Sequence, residues 1–334
     1  MLAAVQSCTL LDDVLQEDPT TLDLEAHVAS LTGKEAALFV TSGTMGNQLG
    51  LRTLLTQPPY GVLCDDRSHI VQYEAGGNGV HLTLEDVATN AVIDDDVHSC
   101  PTRVISLENT LNGMVMPLNE IRRISAFAQD HGIRMHCDGA RLWEAVAAGA
   151  GTLPQFCDLF DTVTLCFSKG LGAPVGSILV GTEAAMKHSR WVRKSLGGGM
   201  RQPGLLAACA RVAVDETFGA KVDGGDSLLR ATHELAKKVE RLWTAKGGKL
   251  VHPVHTNMCW LDLDAAGCSP GRFIEYGKEV GLKLMGNRLV LDYQVAQHGD
   301  EVLRRLYGVF SRVFSEPRED LGQSQVGKGS MYRV

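Results

Sequence analysis

Short apolar runs along the chain alternate with longer segments in which apolar positions recur every three or four residues. The first pattern predicts buried strands and the second amphipathic helices. Strands are expected at 36–40, 61–64, 101–108 and 133–138, then in two runs within 162–181 separated by a glycine-punctuated turn. Helices are expected at 21–32, stopping at Gly33, over 47–55, over 117–131 between Pro117 and Gly132, and around the basic residues Lys187 to Lys194. Two more follow at 204–218 and 225–247. The remainder reads as strands 257–263 and 288–293 around a helix at 270–280, closed by a helix at 299–314. Residues 1–20 carry little pattern beyond the acidic pairs Asp12-Asp13 and Glu17-Asp18.

Strands that recur with helices between them predict an α/β fold with a mostly parallel sheet. We expect a large domain over 1–215, a small α+β domain over 216–315 and a loose polar tail at 316–334. At 334 residues the chain is long enough for both. The net charge of −7 comes without a basic cluster, which argues against nucleic acid and anionic membranes and for small molecules or further copies of the chain as partners. No window approaches the roughly 18 apolar residues of a spanning helix, and the N-terminus has no secretory pattern. A cytoplasmic location is expected. The nine cysteines form no CxxC pair, so they read as buried thiols in a reducing compartment, and no metal site is expected.

In a parallel sheet, chemistry collects at the carboxyl ends of the strands. Lys169 follows such a strand in Phe167-Ser168-Lys169-Gly170, where a lysine either snorkels to solvent or serves as a neutral nucleophilic amine. Ser42-Gly43-Thr44 joins a strand to a helix and is either a plain N-cap or an anion site built from backbone N–H groups and hydroxyls. His69 is either a packed histidine or a ring that lies flat on a cofactor. Glu108-Asn109 and Asp138 end two further strands. Gly197-Gly198-Gly199 before Arg201 is a linker or a close approach that lets the arginine grip an anion.

Asp138 lies 31 positions before Lys169, about one βαβ unit. In a pyridoxal phosphate enzyme, a lysine binds the cofactor covalently and an aspartate keeps its pyridine nitrogen protonated. The blocks GKEAALFVTSGTMGNQL, HIVQYEAGG, SLENTLNG, HCDGARLW, FSKGLGAPVGS and GGGMRQPG resemble, in order, those of the threonine aldolase family. The C-terminal LMGNRLVLDYQV is similar to fungal members. That resemblance implies the pyridoxal-phosphate-dependent fold type I and cleavage of L-threonine or related β-hydroxy-α-amino acids to glycine and an aldehyde. It implies Lys169 as the Schiff-base lysine, Asp138 at the pyridine nitrogen, Arg141 beside the ring hydroxyl and His69 on the ring face as the base. Ser42, Gly43, Thr44 and Arg201 would hold the phosphate, with Arg288 and Asn112 on the substrate side. A homodimer or homotetramer with shared active sites is also implied.

Several positions depart from the family pattern. Leu15-Gln16 stands where the family has Tyr-Gly, and Leu111-Asn112 where many members carry a histidine near the substrate hydroxyl. The chain is expected to begin after the family's Arg-Ser-Asp-Thr segment, and to lack a strand and turn between Gly77 and His81. Two other readings therefore stand beside the aldolase: an alanine racemase of the same family, which needs no β-hydroxyl base, and a catalytically impaired homologue.

Overall fold

The computed structural model describes residues 1–73, 82–94, 96–219 and 227–317. Its main sheet contains β1 (Ala36–Val40), β2 (Gly61–Cys64), β3 (Thr102–Glu108), β4 (Arg134–Gly139), β5 (Thr162–Cys166) and β6 (Ser177–Gly181) in the order β1-β6-β5-β4-β3-β2. Strands β2 to β5 run parallel, whereas β6 is antiparallel to both β5 and β1. The sheet is thus mostly parallel, and β6 is the exception that an apolar run cannot announce, because burial is indifferent to strand direction. A second sheet pairs β7 (Met258–Trp260) with β8 (Arg288–Val290). It packs in its own apolar core with Trp243, Phe273 and Phe310.

The stretch between Gly77 and His81, where a strand and turn of the family are expected to be missing, lies outside the described residues, as does the tail beyond residue 317. Among the described residues β2 is the outer strand, paired only with β3. Within those residues, too, no helix is long and apolar enough to cross a membrane.

Three differences from the sequence expectations bear on the site. The helix expected at 47–55 begins at Gly43, capped by Ser42, whose side chain accepts from Met45 N. The helix expected over 204–218 ends at Ala213 and continues as a π-helical turn over Val214–Phe218. The poorly patterned N-terminus contains a short helix, Leu2–Ser7, with no buried residue and hence no apolar stripe to reveal it.

The Gly43–Leu54 helix lies unusually close to the sheet because its inner face is lined with glycine. A Cβ on Gly46 would sit 2.5 Å from Thr164 Cγ2, and one on Gly50 2.5 Å from His136 Cε1. We expect Gly50→Ala to destabilise by about 1–2 kcal/mol net, since overpacking a core costs roughly 1–3 kcal/mol and alanine regains about 1 in helix propensity. Gly271→Ala, in a helix with nothing within 4 Å of the new methyl, serves as the control and is expected to be neutral or stabilising. Urea unfolding of both variants checks this.

The basic helix, Glu183–Ser195, serves structure. Arg193 is 3% exposed, pairs with Asp13 at 2.6 Å and donates to Phe39 O at 2.7 Å. Arg190 pairs with Glu25, whose carboxyl burial pushes upward. Buried charges are tolerated only when paired in this way.

Candidate active site

A cavity of about 210 Å³ opens at the carboxyl ends of β1, β4 and β5. It has the space of roughly seven waters at about 30 Å³ each. Ser42, Gly43, Thr44, Asn47, His69, Asp138, Cys166 and Lys169 line it. They come from the start of the Gly43–Leu54 helix, from the short helix that begins at His69, from the end of β4, and from the end of β5 and the turn after it. Glu108 and Asp138 are register partners across β3 and β4, and Asp138 pairs in turn with Thr164 of β5, five residues before Lys169.

Lys169 sits in the turn between β5 and β6, which is held by bonds from Phe167 N to Gly176 O and from Ala173 N to Phe167 O. The next residue must be glycine, because a Cβ on Gly170 would lie 2.2 Å from Glu144 Oε1. Asp138 is 3% exposed. Its Oδ1 accepts from Ala140 N at 3.0 Å and its Oδ2 from Asn47 Nδ2 at 2.9 Å. These bonds fix the carboxylate while leaving it facing the cavity.

At the other end, Gly43 brings backbone N–H groups of the helix start into the cavity wall. A Cβ there would lie 2.8 Å from Cys166 Sγ. Ser42 Oγ caps the helix by accepting from Met45 N at 3.1 Å, its hydroxyl hydrogen stays available to donate, and both Ser42 and Thr44 line the cavity. Burial raises the Cys166 thiol pKa, which disfavours the reactive thiolate.

His69 reaches the cavity through Glu108, whose Oε2 accepts from His69 N at 2.7 Å. Its ring packs against Tyr73 at 5.2 Å between centroids. Glu108 keeps some surface, yet protein packed around its carboxyl, with Asp138 nearby, pushes its pKa up to about 8. The fold therefore favours the protonated acid. This contribution to stability is complete below about pH 4.5 and is lost as pH rises through about 8. We expect Glu108→Gln to flatten the stability profile of the apo-protein over that window, where the wild type falls by at most about 1.4 kcal/mol per pH unit. Denaturant midpoints at a series of pH values measure it.

Four sequence-predicted residues do not line the cavity. Arg201 is 64% exposed at its side chain and pairs with Asp12, so within one chain it does not hold the phosphate site. The glycine run before it is no linker, since a Cβ on Gly198 would lie 2.8 Å from Met45 Cε. Arg288 stands 5.8 Å from the Trp260 ring in the small sheet. Asn112 adopts a left-handed φ of 53°, and its carbonyl accepts from Trp260 Nε1 at 2.9 Å. Arg141 starts the Leu142–Ala147 helix, close enough to act on the Glu108 and Cys166 charges without lining the cavity. Conversely, Asn47 was not singled out from sequence, although it shares a helix face with Gly43, Gly46 and Gly50.

Fold and cavity together describe an α/β protein in which a lysine, a buried carboxylate and a helix N-terminus surround one small cavity at the strand ends. The family model for beta-eliminating lyases matches residues 1–266. Aldolase vrtJ of Penicillium aethiopicum is 52% identical over 92% of this chain and 80% of its own length. Alanine racemase TOXG of Cochliobolus carbonum is 45% identical over 91% and 82%. A low-specificity L-threonine aldolase of Candida albicans is 42% identical over 95% and 88%. A crystal structure of a putative L-allo-threonine aldolase from Listeria monocytogenes shares the fold with a TM-score of 0.75 at 22% identity, covering 93% of this chain and 92% of that one. The chain belongs to the beta-eliminating lyase family, and low-specificity threonine aldolases are among its relatives.

The cofactor of this family is pyridoxal 5′-phosphate, and the cavity fits it. Lys169 would supply the amine, the buried Asp138 would face the ring nitrogen, and the glycine cradle at Gly43 would admit a phosphate against a helix N-terminus.

Proposed function

We propose that the chain is an aldolase that cleaves the Cα–Cβ bond of L-threonine and related β-hydroxy-α-amino acids, giving glycine and an aldehyde. The observation that carries this reading is the convergence of Lys169, Asp138 and His69 on one small cavity. When bound, pyridoxal phosphate supplies a protonated ring that accepts the electron pair left at Cα. Asp138 holds the negative charge that keeps the ring nitrogen protonated. His69 takes the proton from the β-hydroxyl oxygen as the Cα–Cβ bond breaks and the aldehyde departs. Lys169 Nζ returns a proton to Cα, which completes glycine. The amino-acid substrate is a small molecule, and a cytoplasmic location accords with the reduced cysteines.

A second copy of the chain is part of this proposal. Leu15 and Trp191, 64% and 74% exposed, lie on the face that carries Gly199 and Arg201. A partner there would bury them and turn Arg201 toward a shared site. A fully active monomer in sedimentation would contradict it.

The second reading, racemisation of alanine, is favoured by the relationship to TOXG. It uses Lys169 and Asp138 but needs no base for a β-hydroxyl. Purified protein loaded with pyridoxal phosphate is to be assayed for acetaldehyde from L-threonine and for D-alanine from L-alanine. Aldehyde production that falls about 10²–10⁴-fold in His69→Ala supports the aldolase. D-alanine without aldehyde supports the racemase and overturns the first reading.

A further inference from the structure

We infer that Asn47, His136 and Thr162 form a one-directional hydrogen-bond relay that positions Asp138 and holds it as a carboxylate for the cofactor nitrogen. The inference rests on the family's cofactor and not on the substrate, so it applies to aldolase and racemase alike.

All four residues are inside the protein: His136 and Thr162 are fully buried, Asn47 is 1% exposed and Asp138 3%. Asn47 Nδ2 lies 2.9 Å from Asp138 Oδ2, Asn47 Oδ1 lies 3.2 Å from His136 Nε2, and His136 Nδ1 lies 2.9 Å from Thr162 Oγ1. Chemistry then sets the direction of each bond. A carboxylate only accepts, so the Asn47 amide must turn its NH₂ toward Asp138. That leaves the Asn47 carbonyl facing His136 Nε2, which must carry a hydrogen.

Burial lowers the His136 pKa to about 4, so the ring is neutral at working pH and Nδ1 is bare. Among the described residues, the Thr162 hydroxyl is the donor in place beside it. The hydrogens therefore run Thr162 to His136 to Asn47 to Asp138, all pointing at the carboxylate. Aligned donors in a buried chain polarise one another. Gly50 makes room for the ring, since a Cβ there would meet it at 2.5 Å.

The structure thus makes Asn47, His136 and Thr162 positioning residues that act through Asp138. Thr162→Val keeps the shape but removes the last donor. His136 Nδ1 then loses the bond that fixes the ring, and the Nε2–H to Asn47 Oδ1 contact that orients the amide is loosened with it. A loosened Asn47 amide donates less well to Asp138 Oδ2, so the carboxylate is held less firmly where the cofactor nitrogen would sit.

The test reads the holoenzyme in two ways. Nitrogen NMR of imidazole-labelled wild-type protein, which requires no variant, is expected to show His136 protonated at Nε2 and bare at Nδ1. Optical titration of Thr162→Val is expected to show a shifted visible band at unchanged pH and about fivefold weaker binding of pyridoxal phosphate, the change for one hydrogen bond. Thr162→Ser is expected to restore both. An Nδ1-protonated His136, or a Thr162→Val variant with wild-type spectrum and affinity, would overturn the relay.

Discussion

Lys169→Ala is expected to lower turnover at least about 10³-fold, beyond what loss of a single acid or base usually costs, because one amine serves as both covalent anchor and proton carrier. Global stability should change little, since the side chain is only half buried at the mouth of the cavity. The cofactor's borohydride-sensitive visible band should vanish, although pyridoxal phosphate can still bind through the helix N-terminus and Asp138. A lysine that merely extended its stem along an apolar wall toward solvent would behave otherwise. Its removal would leave turnover within a few-fold of wild type and the band intact. Steady-state kinetics and absorption spectra of the same preparation separate the two.

Asp138→Asn is the second large effect. The substitution keeps size and removes a charge at a position 3% exposed. At an effective dielectric near 20, a contact ion pair is worth about 4 kcal/mol, which corresponds to roughly a 10³-fold loss of rate if the pyridine nitrogen loses its proton. The amide also meets Asn47 and Ala140, which both donate to the carboxylate in the wild type, so one of its own N–H groups faces a donor. We therefore expect a slower enzyme with weakened cofactor binding, measured by kcat and by equilibrium dialysis of pyridoxal phosphate. An Asp138→Asn enzyme with normal kcat would remove the aspartate from the chemistry.

Much of this arrangement was legible in the sequence because it lies at the ends of apolar runs. Runs 36–40 and 61–64 coincide with β1 and β2, and the strand ends at Asp138 and Glu108 meet as register partners. What escaped has physical reasons. The direction of β6 leaves no trace in an apolar run that is buried either way. Arg201 reads as an anion grip beside three glycines, but its partner Asp12 is 189 residues away and nothing local reveals the pair. Asn112 reads as a substrate-side residue, whereas the turn uses its backbone carbonyl to hold Trp260. The relay to Asp138 was in principle visible. His136 precedes Asp138 by two positions, hence on the same face of β4, and Asn47 sits on the glycine face of its helix.

Lys169 is the residue proposed to carry the cofactor. Reduction of the protein with borohydride in the presence of pyridoxal phosphate, followed by peptide mapping, tests it most directly. The predicted result is a single pyridoxyl group on the peptide containing Phe167-Ser168-Lys169-Gly170, absent from Lys169→Ala. A pyridoxyl group on another lysine, or none at all, would contradict it.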